Sequence, residues 1–205
     1  MSQFRIYGAA GLLALMLGGC SQPVRVDSTW HGERVAAPLD RVLVVSVTSD
    51  LNGRRMFEDL VVEQLVRGGS TAWASSRKMD NARPLQREGV EQAVRETGAM
   101  LVVVTRLVEV DLSISEQGER GSMKVQRRHE TPVDFFRYDY KVVEPTSALV
   151  PASAVTLLTD VYGVEKGRLL YSMDTIIPAR ESRLEIIDEA ARSIAERLRR
   201  DGLVR

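Results

Sequence analysis

Apolar and polar residues along this chain follow two different periods, and the shorter period predicts β-strands. Val42–Val47 is a nearly continuous apolar run, interrupted only by Ser46, and Met100–Val104 is a continuous one; both are rich in β-branched residues, as is typical of strands buried on both faces. From Val108 to Ser115 apolar and polar residues alternate strictly, which predicts that the second strand continues with one face open to solvent. Further strands are predicted at 71–74, 136–142, 154–162 and 168–176, the last two joined by a hairpin.

The longer period, of three to four residues, predicts three helices. Two of them cover 54–67 and 87–97, and each is followed by a glycine that favours a helix end. The last helix is marked at both ends, because Ser182 and Glu185 match a capping box and Gly202 stops it. Its predicted inward face comprises Leu184, Ile187, Ala191, Ile194 and Leu198.

The order of these elements predicts the fold class. An alternation of strands and helices implies right-handed crossovers and a parallel first half, and the later strands add an antiparallel meander. We therefore expect one α/β (α+β mixed) domain over residues 40–205, with three helices on a mixed sheet and the C-terminal helix packed on it. Residues 116–132 are charged and contain glycine, and we interpret them as a mobile flap.

The first 19 residues have the layout of an export signal. Arg5 precedes the apolar run Ile6–Leu17, which is too short for a transmembrane helix because roughly 20 apolar residues are needed. Gly18 and Gly19 then precede Cys20, the one cysteine of the chain. An ordinary cleaved signal would also have small residues here. Leu17-Gly18-Gly19-Cys20, however, resembles the lipobox of bacterial lipoprotein signals.

That resemblance implies a lipid-anchored protein. Cys20 would be the first mature residue and would carry a diacylglyceryl thioether with acyl chains such as palmitate. Two or more acyl chains hold a protein firmly on a bilayer, whereas one holds it only marginally. Ser21, where an Asp would retain the protein at the inner membrane, implies the outer membrane of a Gram-negative host, with the domain facing the periplasm. We interpret residues 20–39 as a lipidated tether, since they contain Pro23 and Pro38 and show no clear period.

Composition gives little support to catalysis, cofactors or nucleic acid. The net charge is 0, so no polyanionic partner is indicated. His31 and His129 are the two histidines, and lipidation leaves no free thiol, so neither a metal site nor a Ser-His nucleophile is expected. Carboxylates such as Glu109 and Asp111 are best explained as a solvated strand face. We expect no enzymatic activity, no metal and no cofactor.

One ligand cleft remains as a hypothesis from position alone. In open α/β sheets ligands collect at the carboxyl ends of parallel strands, and a helix N-terminus there attracts anions. Helix capping and surface arginines are the simpler explanation of the same residues. The candidate residues, which follow the first predicted strand within 48–55, are Ser49, Asp50, Asn52, Gly53, Arg54 and Arg55.

The body of the chain resembles a group of small α/β envelope domains. The group comprises the periplasmic domain of the curli secretion channel lipoprotein, the outer-membrane activator of penicillin-binding proteins and the N-terminal domain of the Tol translocation protein. The similarity lies in Val42–Val47 and its helix, in Gly98-Ala99 entering Met100–Val104, in the hairpin at 162–168 and in the ending Asp201-Gly202-Leu203. It implies a binding or structural module for an envelope assembly or cell-wall protein partner. The alternative is a ligand-binding or enzymatic domain that uses the cleft at 48–55.

The anchor yields the first prediction. Replacing Cys20 with Ala removes the thiol that the thioether needs. We expect Cys20→Ala to give either a soluble periplasmic protein or an unprocessed precursor, without incorporated lipid label. Metabolic labelling with a tagged fatty acid measures this, and equal labelling of wild type and variant would contradict it.

Overall fold

The computed structural model describes residues 22–48, 50–79, 85–113, 120–124 and 150–205. Within them the chain forms seven strands and three helices, with a turn of 3₁₀ helix at Ser75–Arg77. The strands are β1 Arg25–Trp30, β2 Arg41–Val47, β3 Thr71–Ala74, β4 Leu101–Ser113, β5 Arg120–Lys124, β6 Val150–Gly163 and β7 Arg168–Pro178. The helices are α1 Leu51–Arg67, α2 Arg87–Thr97 and α3 Arg183–Arg200.

All seven strands belong to one mixed sheet. Its order is β1-β7-β6-β4-β2-β3, and β5 pairs with β4 outside this path. β2 runs parallel to both β3 and β4, whereas the pairs β4–β6, β6–β7, β1–β7 and β4–β5 are antiparallel. The mixed α/β class, the parallel first half and the antiparallel meander predicted from the sequence are thereby confirmed.

Helices cover both faces of the sheet. Alternate residues of β2 point to opposite sides: Val42 and Val44 join the cluster that contains α1 and α3, while Leu43 and Val45 join the cluster that contains α2. The predicted double burial of this strand is therefore confirmed. The larger core lies on the α1–α3 side, where α3 packs on the sheet as expected.

The ends of α3 agree with the sequence, but one inward residue does not. Ser182 Oγ accepts a hydrogen bond from the Glu185 N–H at 3.2 Å, which is the predicted N-cap. Leu184 is wrong as a core residue, because it is 57% exposed. The buried stripe follows Ile186, Ala190, Ile194 and Leu198 at a spacing of four, and Leu184 lies off that line.

β4 passes from the helix-covered sheet into an antiparallel extension, as its change of period predicted. Its first six residues pair with β2, and Glu109–Ser113 pair instead with β5. The register with β6 shifts between Leu107 and Glu109 and again between Val110 and Leu112, and such irregularities bend a strand. Part of the predicted flap is therefore a strand. The rest of 116–132 and the predicted strand at 136–142 lie outside the described residues, and mobility stays a prediction.

The expected tether over 20–39 is wrong from Arg25 onward, because Arg25–Trp30 is an edge strand paired with β7. Val26, Ser28 and Trp30 alternate toward the core with exposed residues between them. Trp30 meets the Tyr171 ring edge-on, with centroids 5.3 Å apart. Because the inward residue Ser28 is polar, the alternation of apolar and polar residues in this strand is not visible in the sequence.

Ser28 faces inward because a polar cluster receives it. Its hydroxyl donates to Asp201 Oδ2 at 3.1 Å and accepts from Arg197 Nη2 at 2.6 Å. The Tyr171 hydroxyl donates to the same carboxylate oxygen at 2.5 Å. Burial alone would raise the pKa of Asp201, but the hydrogen bonds from Tyr171 and Arg197 lower it overall. The cluster therefore joins β1, β7 and the end of α3.

This cluster gives a prediction at high pH. Burial and the hydrogen bond to Asp201 raise the pKa of Tyr171 from 10.0 to about 12. An unfolded tyrosine ionises near pH 10, so Tyr171 favours the folded state below that pH and loses this contribution as pH rises to about 12. Denaturant unfolding should therefore show a larger loss of stability in wild type than in Tyr171→Phe between about pH 9 and about pH 12. Equal losses would contradict the assignment.

Candidate functional site

The carboxyl end of β2 leads into α1 through Asp50, which caps the helix. Asp50 Oδ1 accepts hydrogen bonds from the Asn52 N–H at 3.1 Å and the Gly53 N–H at 3.0 Å. Its other oxygen pairs with the Arg183 guanidinium at the start of α3. Burial raises the pKa of Asp50, but the bonds from Gly53 and Arg183 outweigh it, so the net shift is downward. A carboxylate already occupies the helix N-terminus.

Behind this cap, α1 carries a buried ion pair. Arg54 and Glu58 are 3% and 0% exposed, and Arg54 Nε lies 3.0 Å from Glu58 Oε1. Arg54 Nη2 also donates to Ser75 Oγ at 2.7 Å. One helical turn separates the two residues, so both project from the face of α1 that packs on the sheet.

The Glu58 carboxylate collects donors from two strand ends. The Ser46 N–H on β2 donates to Oε1 at 2.8 Å, and the Ser75 hydroxyl beyond β3 donates to the same oxygen at 2.8 Å. The Ser76 N–H donates to Oε2 at 2.7 Å. The buried carboxylate therefore has both a counter-charge and hydrogen-bond donors within one cluster. This cluster fixes α1 to the ends of β2 and β3.

These contacts correct most of the predicted ligand cleft. Arg54 is committed to Glu58 and is buried, so it does not face an external anion. A Cβ at Gly53 would collide with the Arg183 guanidinium and the Asp50 carboxylate, which means that this glycine is needed for close packing. Ser49 lies outside the described residues. Asn52 and Arg55 are exposed, and a ligand role for those two stays a prediction.

A second buried polar group crosses β4 and β6 and was missed from the sequence. Arg106 Nη2 lies 3.2 Å from Asp160 Oδ2, and the two side chains are 5% and 2% exposed. On neighbouring positions Thr105 and Thr159 share a hydrogen bond at 2.9 Å. In each pair the two partners are 54 residues apart along the chain, so no local spacing reveals them.

One histidine–serine contact invites a catalytic interpretation. His31 Nε2 lies 2.8 Å from Ser172 Oγ. Ser172 is 0% exposed, however, and among the described residues no carboxylate hydrogen-bonds to His31. A nucleophile needs access to substrate and a base needs an orienting acid, so this pair serves to attach residue 31 to β7. Within the described ranges there is no group of three or more His, Cys, Asp or Glu residues that could bind a metal ion.

The strand topology places three features at one end of the molecule. The N-termini of α1 and α3 lie there, joined by Asp50 and Arg183. β1 also begins there, since Arg25 pairs with Ile176 near the end of β7. Arg180 Nη2 donates to the Gln22 carbonyl at 2.9 Å, so the chain is held to the body at residue 22. We call this the anchor end, because Cys20 precedes Gln22 by two residues.

No helix among the described residues has the length and apolar content to span a bilayer. The four-residue stretch from Ala179 to Ser182 separates β7 from α3, and Arg180 also pairs with Glu189 at 2.9 Å. The anchor end is therefore built from short, well-connected segments.

Comparison with known proteins gives a fold relationship. No protein-family model and no curated protein matches the sequence. A PelC dodecamer variant from Paraburkholderia phytofirmans has a TM-score of 0.50 at 17% identity, over 89% of this chain and 100% of that chain. A second PelC dodecamer structure from the same organism has a TM-score of 0.46 at 15% identity, over 89% and 99% of the two chains. A PDZ domain protein from Parabacteroides distasonis has a TM-score of 0.35 at 14% identity, over 84% of this chain and 34% of that one. At 17% identity, the similarity to the structure with a TM-score of 0.50 shows a shared fold and nothing more.

The buried ion pair gives a stability prediction. Glu58→Gln keeps the shape of the side chain but leaves the buried Arg54 without its counter-charge. We expect a loss of about 3–5 kcal/mol in the free energy of unfolding. Denaturant unfolding followed by circular dichroism measures it.

The matched control is Glu63→Gln on the same helix. Glu63 pairs with Arg67 at the same spacing, but these side chains are 48% and 66% exposed. Its replacement should change stability by about 1 kcal/mol or less. Similar losses for both variants would contradict the role given to Glu58.

Proposed function

We propose that this chain is an outer-membrane lipoprotein whose periplasmic domain is a binding or structural module in an envelope assembly. The observation that carries the proposal is Leu17-Gly18-Gly19-Cys20, which places the one cysteine of the chain directly after a short apolar run. The cysteine stands just ahead of the described domain. A thioether-linked lipid at Cys20 would hold the protein on the membrane as two or more acyl chains do.

The fold supports a role within an assembly of several copies. The PelC structure with a TM-score of 0.50 is described as a dodecamer, and the alignment covers 100% of that chain. We extend the proposal accordingly: copies of this domain associate with each other and present a common surface to an envelope protein partner. The sheet path ends in β1 and β3, so each copy has strand edges as well as helices available for contact.

The buried polar clusters favour a structural role over a catalytic one. Glu58 and Asp160 are paired with arginines in the interior, and the carboxylate of Asp50 is used as a cap. Catalytic groups need to reach a substrate, whereas these groups connect strands and helices to each other. The rigidity that these contacts give to the domain explains them without an active site.

Mass spectrometry of the protein purified from membranes tests the anchor. The expected mature chain starts at Cys20 and carries the mass of its lipids. A free thiol at Cys20, or a chain that starts at another residue, would overturn the proposal.

Association of copies is the next prediction. Light scattering and native mass spectrometry in detergent should give a mass that is several times that of the protomer. The control is the soluble Cys20→Ala protein, which separates association through the domain from clustering through lipid. A monomer in both preparations would contradict the assembly.

Cross-linking in intact cells followed by capture tests the partner. A specific envelope protein should be recovered with wild type and with reduced yield from Cys20→Ala cells, because the soluble variant is no longer held at the membrane. Recovery of no envelope partner under several cross-linking chemistries would count against the module.

A further inference from the structure

The acylated residue is separated from the folded body by very little chain. Gln22 is held by Arg180, and Cys20 lies two residues before it. A fully extended chain covers at most about 3.6 Å per residue, so the Cα atom of Cys20 lies within about 7 Å of that of Gln22. The polar layer on each side of a bilayer is of similar thickness, roughly 5–8 Å. Because the connection from Cys20 to Gln22 is no longer than this layer is thick, the domain stays in contact with the headgroups.

Two exposed leucines lie at the same end. Leu184 is 57% exposed and Leu51 is 41% exposed. Each stands in the first turn of its helix, next to a residue of the Arg183–Asp50 ion pair that joins the two helices. The ion pair therefore places the first turns of the two helices side by side, at the end where the chain leads to Cys20.

Four charged side chains at this surface form two ion pairs, Arg183 with Asp50 and Arg180 with Glu189. Exposed Glu181 and Glu185 flank Leu184, and exposed Arg55 lies in the first turn of α1, so the surface carries both signs of charge. Attraction to a membrane at this surface therefore comes from the apolar side chains together with the lipid of Cys20.

We propose that Leu51 and Leu184 rest on the bilayer that holds acylated Cys20, so that the domain sits directly on the membrane with the N-termini of α1 and α3 facing the headgroups. This inference depends on the lipidation of Cys20 proposed above. It assigns an orientation: the β6–β7 turn and the start of β4 face away from the membrane. The antiparallel extension of β4, β5 and β6 leaves the sheet at the anchor end.

The chain offers a clean labelling experiment because lipidation consumes its one cysteine. Leu184→Cys introduces a single reactive thiol at the proposed contact, and Val164→Cys introduces one at the opposite end. Val164 is the matched control, since it is apolar, 36% exposed and hydrogen-bonded through its N–H to Met100. Both lipidated variants are labelled with an environment-sensitive fluorophore and reconstituted into phosphatidylcholine vesicles.

The label at residue 184 should shift its emission to the blue on reconstitution, become several-fold less accessible to iodide, and be quenched by nitroxide-labelled lipid. The label at 164 should show none of these changes. Added salt or anionic lipid should leave the contrast in place. In Leu51→Asp protein carrying the 184 label, the protection should fall, because a charge beside the label opposes contact with the headgroup boundary.

The failures of the two proposals are distinguishable. An unmodified Cys20 by mass spectrometry would overturn both of them. With Cys20 lipidated, equal exposure of the labels at 184 and 164 would overturn the orientation alone. Protection of 184 from iodide without quenching by nitroxide lipid would place another protein surface over the leucines and would also overturn it.

Discussion

The buried carboxylate of Glu58 is the interaction on which the arrangement of this domain depends. It gathers donors from the end of β2, from the turn after β3 and from Arg54 on its own helix. A carboxylate without these partners would be too costly to bury, so the contacts stand or fall together. These contacts hold the first turns of α1 against the ends of β2 and β3. The position of α1 in turn places the Asp50 cap, and the bond from Asp50 to Arg183 connects it to the start of α3.

The sequence was a good guide wherever one residue type repeats at a regular spacing. The run Val42–Val47, the helix 87–97 and the hairpin before Arg168 follow directly from period and turn chemistry. β1 could not be recognised this way, because Ser28 occupies an inward position that only the distant Arg197 and Asp201 make favourable. The sequence pattern around Ser28 gives no information about partners so far along the chain.

Asp50, Gly53 and Arg54 of the candidate cleft have structural roles that the sequence did not reveal, for a related reason. Arg54 and Arg55 are adjacent and chemically alike, and their residue type alone predicts that both are cations on the surface. Arg54 shares its helical face with Phe57, Glu58 and Val61, and that spacing was the available signal that it faces the sheet. Arg55 lies off this face and is exposed. A titratable residue in register with an apolar stripe is better interpreted as half of a buried pair than as a ligand contact.

The pairing of β1 with the far end of the chain has a consequence for the order of biosynthetic events. The Ser28 hydroxyl bonds to Arg197 and Asp201, which lie 169 and 173 positions later in the chain, so these contacts of β1 form only after α3 has been made. Contacts of such separation form late in folding. If Cys20 is acylated, the modifying enzymes therefore meet a loose N-terminal segment during export. Once β7 and α3 have folded, Arg180 holds the chain at Gln22, two residues from that cysteine, and we expect a large enzyme to reach it less easily than before.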